Sequence, residues 1–220
     1  MDSNENLANE NIIVGEAFRH FMAIASLLNQ DEKARIFYFL KKILLYGLRN
    51  GVENVFFTNG KNVALYCEGV ESQVTIKPEI KEIVNSETDY PWTFIHNHPN
   101  STAFSYNDYS VFLNYIFVKN MFVCGHNGNL YFLQKGVLFY NESPQSEVRV
   151  FIDEFLVKIE KMQLAWTKHY CEMHNYTIET LTSSCTEIQL KCVKFVMDNL
   201  FDEICKELLN YDFRFYREGE

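Results

Sequence analysis

Twice in this chain an Asn-Gly pair stands between two short apolar runs, and that repeated arrangement constrains the fold more than any other feature. Asn59-Gly60 separates Val55-Phe-Phe-Thr from Asn62-Val-Ala-Leu-Tyr-Cys, and Asn127-Gly128 separates Met121-Phe-Val-Cys-Gly from Leu130-Tyr-Phe-Leu. Both residue types tolerate positive φ, so each pair predicts a tight turn between two strands. Between these hairpins, Pro91-Trp-Thr-Phe-Ile reads as a further short strand that runs directly into His96.

The remainder has helical period. Ile13, Ala17, Phe21, Ile24 and Leu28 recur at helical spacing, and a second helical segment runs from about Asp31 to Leu48. Asp31 and Glu32 stand at its start, where the helix dipole favours anions, while Phe39, Leu40, Ile43 and Leu44 mark its apolar side and Gly47 and Gly51 flank its exit. Residues 1–10 are polar and read as a frayed terminus. Lys77 to Val84 carries a proline near its first turn and predicts a short helix. Ser105 to Phe117 reads as a helix with Ser105 as its N-cap. After the turn-rich Asn141 to Gln145, Val148 to Tyr170 and Glu187 to Leu209 are two long helical patterns, joined by a Thr/Ser-rich connection at Thr177 to Ser184. The expected fold is therefore mixed α/β. A sheet-bearing core at 51–140 lies between an N-terminal helical segment, 1–50, and a C-terminal helical extension, 141–220. The closing aromatic run from Tyr211 to Arg217 reads as a short strand, a partner-binding segment or a tail packed on the helices.

Composition narrows the function classes. The chain has 220 residues, of which 47% are hydrophobic, enough for a substantial core. Its formal charge of -9 argues against a nucleic-acid backbone as the main partner, since such binding needs clustered Lys and Arg to displace counterions. No run of apolar residues is long enough to span a bilayer and no basic leader precedes an apolar stretch, so a cytoplasmic location without membrane contact is expected. The six cysteines are scattered without a Cys-x-x-Cys pair and read as small buried hydrophobes.

The chemistry concentrates in Phe94 to Asp108, which reads Phe-Ile-His-Asn-His-Pro-Asn-Ser-Thr-Ala-Phe-Ser-Tyr-Asn-Asp. His96 and His98, at i and i+2 on an extended segment, project to the same side. Ser105-x-x-Asp108 before an apolar run has a plain reading as a capping pattern. Combined with the paired histidines and the His-Pro end of the strand, it also makes a metal-and-hydroxyl constellation. Three protein ligands and a water are the arrangement of catalytic rather than structural zinc.

These residues resemble the JAMM motif of the JAB/MPN zinc metalloproteases: His-x-His, a loop of about seven residues, then Ser-x-x-Asp, with a glutamate far upstream. Ile-His-Asn-His-Pro is closest to bacterial and phage-type members, with the RadC-like branch more distant. The resemblance covers roughly Glu53 to Leu133, and the loop from His98 to Ser105 is one residue shorter than the commoner pattern. It implies a JAB/MPN-like central mixed sheet flanked by helices and one Zn²⁺ per chain, held by His96, His98 and Asp108. It implies Ser105 as the donor that stabilises a tetrahedral oxyanion. The upstream glutamate of the family is the general base. Glu53 fits it best, lying just before Val55 and 43 residues before His96, with Glu68, Glu71, Glu79, Glu82 and Glu87 as competitors.

The expected activity is thus that of a zinc metallopeptidase or isopeptidase acting on a protein or peptide, ubiquitin-like tails included. The alternatives are a JAB-fold interaction scaffold without cleavage and a RadC-like nucleic-acid-associated protein. The helical extensions are candidates for gating the cleft, docking a partner or forming a homodimer. Two further groups stand apart: His169, Cys171 and His174, expected to pack or lie on a helix surface, and His126, expected to be exposed beside its hairpin turn.

Overall fold

The computed structural model describes residues 3–59, 64–70, 73–86, 91–136, 145–211 and 213–217. Its elements in chain order are α1 (Ser3–Ile24), α2 (Gln30–Asn50), β1 (Asn54–Thr58), β2 (Ala64–Glu68), α3 (Pro78–Asn85), β3 (Trp92–His98), α4 (Tyr106–Asn114), β4 (Val118–Gly125), β5 (Leu130–Gln134), α5 (Gln145–His174), α6 (Ile178–Thr182), α7 (Thr186–Leu208) and β6 (Arg214–Tyr216). The mixed α/β class expected from the sequence is what forms. Six strands make one sheet in the order β2-β1-β3-β4-β5-β6, in which β3 and β4 run parallel and the β1–β2, β1–β3 and β4–β5 pairs are antiparallel.

The chain divides into two compact units. The first comprises residues 1–101, 115–134 and 215–220, and the second comprises 102–114 and 135–214. In the first, one sheet face is covered by the two N-terminal helices. Ala17, Phe21, Ile24, Ile36, Leu40, Ile43 and Leu44 form one buried cluster with Ile95, Phe122, Leu130 and Phe132. Ala17, Phe21, Ile24, Leu40, Ile43 and Leu44 are the residues whose helical period marked an apolar side, and burying such faces is the main favourable term in folding. In the second unit, Tyr170, Cys171, Leu181, Cys192 and Val196 form a separate small core among α5, α6 and α7.

Local chemistry accounts for the element ends. Asn29 caps α2 through its side chain, which accepts from the Glu32 backbone, while Glu32 reaches back to the Asn29 amide. Gly51 ends α2 in the left-handed region, at φ 66°, and returns its N–H to the Gly47 carbonyl. That turn delivers the chain through Val52 and Glu53 to the start of β1 at Asn54.

Several expectations are corrected in detail. The polar N-terminus is helical from Ser3 rather than frayed. The helix at Ser105 stops at Asn114 instead of reaching Phe117, because Val118 N–H closes a turn on Tyr115 and the Phe117 carbonyl accepts from Trp92 N–H at the start of β3. The Thr/Ser-rich connection contains the short helix α6, started by a reciprocal cap between Thr177 and Thr180. At the second hairpin only Gly128 takes positive φ, at 90°. The turn residues that follow Asn59, 60–63, and the boundary at residues 141–144 lie outside the described residues. Within the C-terminal aromatic run, Arg214–Tyr216 form β6 at the edge of the sheet. No disulfide joins the six cysteines; five are buried and Cys185 is exposed. No helix among the described residues is long and apolar enough to cross a membrane.

Candidate metal centre

Strand β3 is buried along all seven residues, and its alternation sorts them by chemistry. Ile95 joins the core beneath α1 and α2. Phe94, His96 and His98 follow one another along the other face, with ring centroids 4.8 Å apart at each step, the first pair tilted and the second edge-on. His96 is fully buried and His98 is 7% exposed. Their Nε2 atoms lie 3.1 Å apart.

That separation suits two arrangements. One imidazole can donate to the other, or both can present lone pairs to a single cation. Two nitrogens each about 2.0–2.1 Å from a tetrahedral Zn²⁺ stand ~3.3 Å from one another. The carboxylate of Glu53 completes the group. Ligand-capable atoms of Glu53, His96 and His98 all lie within 4.8 Å of one another, and all three residues are buried. Among the described residues no other trio of His, Cys, Asp and Glu gathers in this way. Two imidazoles and one carboxylate are also a donor set of catalytic zinc sites that keep a position open. The residues present therefore fit a divalent transition metal.

The sheet explains how Glu53 arrives there. Val55 pairs with His96 across the β1–β3 ladder, so the residues just before β1 continue alongside His98. Glu53 is held on its other side by the two residues that follow β2, donating its N–H to the Val70 carbonyl at 2.8 Å and accepting from Gly69 N–H at 2.9 Å through its own carbonyl. The competing glutamates among the described residues go elsewhere. Glu68 is exposed and accepts from the Tyr46 hydroxyl, Glu79 and Glu82 are exposed on α3, and Glu71 and Glu87 lie outside the described residues.

Ser105 and Asp108 belong to the second unit, where they meet each other. Ser105 N–H donates to Asp108 Oδ2 at 2.6 Å, and Asp108 N–H donates to Ser105 Oγ at 3.3 Å, a reciprocal cap on α4. The plain capping reading of Ser-x-x-Asp is realised in full. Asp108 is buried, in the first turn of its helix, where the dipole favours the carboxylate.

Two neighbours of the histidines carry more than the sequence suggested. His126, expected at the surface, is half-buried, and its Nε2 lies 2.9 Å from Asn97 Nδ2. Burial, reinforced by the nearby His98, pulls its pKa down to about 4, so it is neutral at pH 7. Asn97 was not singled out as a site residue. A primary amide on the same side of the strand as the core residue Ile95 must find buried partners.

The second cluster separates instead of converging. His169 and His174 are exposed and lie against rings, His169 beside Trp166 and His174 with its centroid 4.4 Å from that of Tyr170, while Cys171 is buried in the small core. No family model, no curated protein and no solved structure matches the chain.

Proposed function

We propose that the protein is a zinc-dependent hydrolase of peptide or isopeptide bonds, with His96 and His98 as metal ligands and Glu53 as the residue that handles the proton. The observation that carries this reading is the buried convergence of Glu53 on two imidazole nitrogens 3.1 Å apart. Zn²⁺ in such a site acts as a Lewis acid and brings the pKa of a bound water to about 7. The chain's own residues supply the rest. His96 and His98 are fixed by strand backbone and ring packing, so their lone pairs are held in place before any metal arrives. Glu53, within reach of the same point, takes a proton from the attacking water and returns it to the leaving amine. The sequence resemblance assigns Asp108 as the third ligand and Ser105 as the oxyanion donor. A peptide bond as the target follows from that resemblance as well.

The donor set supports a second assignment within the same function, in which Glu53 itself is the third ligand. Metal analysis separates the two. Wild-type protein is expected to hold close to one zinc per chain, and His98→Ala to lose it; equal metal in both would end the site assignment. If Asp108 is the ligand and Glu53 the base, Asp108→Asn loses zinc while Glu53→Gln retains it. If Glu53 is the ligand, the outcomes exchange. Hydrolysis of an isopeptide-linked ubiquitin-like substrate, lost by about 10²–10⁴-fold in zinc-replete Glu53→Gln, would establish the base. A metal-loaded wild type without peptidase activity would favour the scaffold.

A further inference from the structure

Asn97 lies between the two histidines in sequence and projects to the opposite side of β3. Its side chain makes three contacts. Oδ1 accepts from Asn54 N–H at 2.9 Å, Nδ2 donates to the Val52 carbonyl at 2.9 Å, and Nδ2 also meets His126 Nε2 at 2.9 Å. Val52 and Asn54 are the residues on either side of Glu53. A backbone carbonyl can only accept and a backbone N–H can only donate, so the amide orientation is fixed by the peptide it grips. With Nδ2 thereby a donor, His126 Nε2 must be the acceptor, which puts that ring's proton on Nδ1.

The grip falls where the regular ladder ends. Backbone pairing of β1 with β3 runs from Thr58–Thr93 to Val55–His96. At the next position along, a side-chain amide stands in for the strand, reaching both peptides that flank Glu53. Helix α2 leaves room for this. A β-carbon at Gly47 would collide with Asn97 Nδ2 and lie 2.7 Å from His126 Nε2. Only glycine permits the helix to approach the amide so closely.

We propose that Asn97 is a positioning residue, backed by His126 and admitted by Gly47, that sets where the Glu53 carboxylate stands relative to His96 and His98. The inference rests on the metal-centre reading given above. It assigns a role to the residue between the histidines that ligand chemistry alone does not require. Outer groups that orient a metal site's first ring of residues are often as consequential as those residues.

Co²⁺ loaded into the full-length protein tests this, because its visible absorption reports the ligand field. Asn97→Ala is expected to shift the cobalt band in protein that retains Glu53, and to leave it unmoved in a Glu53→Gln background. Where Glu53→Gln holds no cobalt, Glu53 is itself a ligand; Asn97→Ala is then expected to weaken Co²⁺ binding by about 10–100-fold, and unchanged affinity would overturn the proposal. Gly47→Ala keeps the amide and displaces it by one methyl group; it should give the same Glu53-dependent shift even if Asn97→Ala fails to fold. A shift of equal size in both backgrounds would mean that Asn97 merely supports β3 and its histidines, and would overturn the proposal. So would an unchanged band in folded Asn97→Ala or Gly47→Ala protein with Glu53 present. A wild type that gives no cobalt band defeats the metal reading itself, and this inference with it.

Discussion

A chain of buried amides in the first unit and a buried lysine in the second are held in different ways. In the first, buried amides and hydroxyls are joined in short chains: Gln134 Nε2 donates to Asn120 Oδ1, and Asn120 Nδ2 donates to Thr93 Oγ1, across three neighbouring strands. Asn97 and His126 form a second such chain. In the second unit, Lys135 is buried with its ammonium 4.9 Å from the Phe112 ring centroid, and burial holds it well below the ordinary lysine range. The histidines divide in the same way. His96 and His98 turn inward on a strand, whereas His169 and His174 lie exposed against aromatic rings on a helix. A buried polar group that is matched by others specifies a geometry, and a buried amine resists taking up its charge.

The contrast can be broken most severely at the candidate metal centre. His96→Ala is expected to lower Zn²⁺ affinity by more than about 100-fold in a chelator competition, because a lost ligand costs at least what a lost outer partner does. Unchanged affinity would place the metal elsewhere. Next in size, Asn120→Ala removes the middle of the three-strand chain and leaves Thr93 and Gln134 buried around a gap. Denaturant melts should show a loss of about 1–3 kcal/mol, and a neutral result would mean that water replaces the amide at little cost.

Lys135→Met should act in the opposite direction. Because the folded pKa of Lys135 lies below its unfolded value, the unfolded chain binds the extra proton throughout the window between them. Stability therefore rises with pH towards about 10.5 and is lost as pH falls. At pH 7 the substitution should raise the melting midpoint by at least about 2 °C, the shift that ~1 kcal/mol produces in a chain of this size. At pH 9.5 the gain should be smaller; a midpoint lowered at both values would mean that the lysine stabilises its unit. The smallest effect belongs to His174→Ala, expected within about 0.5 kcal/mol of wild type and without change in zinc content. A loss of metal in that variant would erase the distinction between the two histidine groups.

The difference between those groups also shows how far each was legible. His96-x-His98 was readable because a strand alternates strictly, so residues two apart share a side whatever lies around them. The sequence placed Glu53 near the histidines only through the resemblance. Its approach in space depends on the antiparallel pairing of β1 with β3, a contact between segments some forty residues apart. His126 was misread because an Asn-Gly turn is usually a surface feature, and nothing local reports that α2 passes close enough, at Gly47, to cover it. Gly47 and Gly51 looked alike as a helix exit. One is needed for close approach and the other for positive φ.

By itself the sequence determined the mixed α/β class, most of the elements, the strand face that carries the two histidines and the capping pair Ser105 and Asp108. These follow from period, turn chemistry and capping, all of which act over a few residues. Only the tertiary structure decided that Glu53, and none of the other described glutamates, joins the histidines, and that Asn97 grips the peptides on either side of it. Those outcomes depend on strand order and helix packing, where the free energy comes from burying distant faces together and leaves little trace in any local stretch of chain.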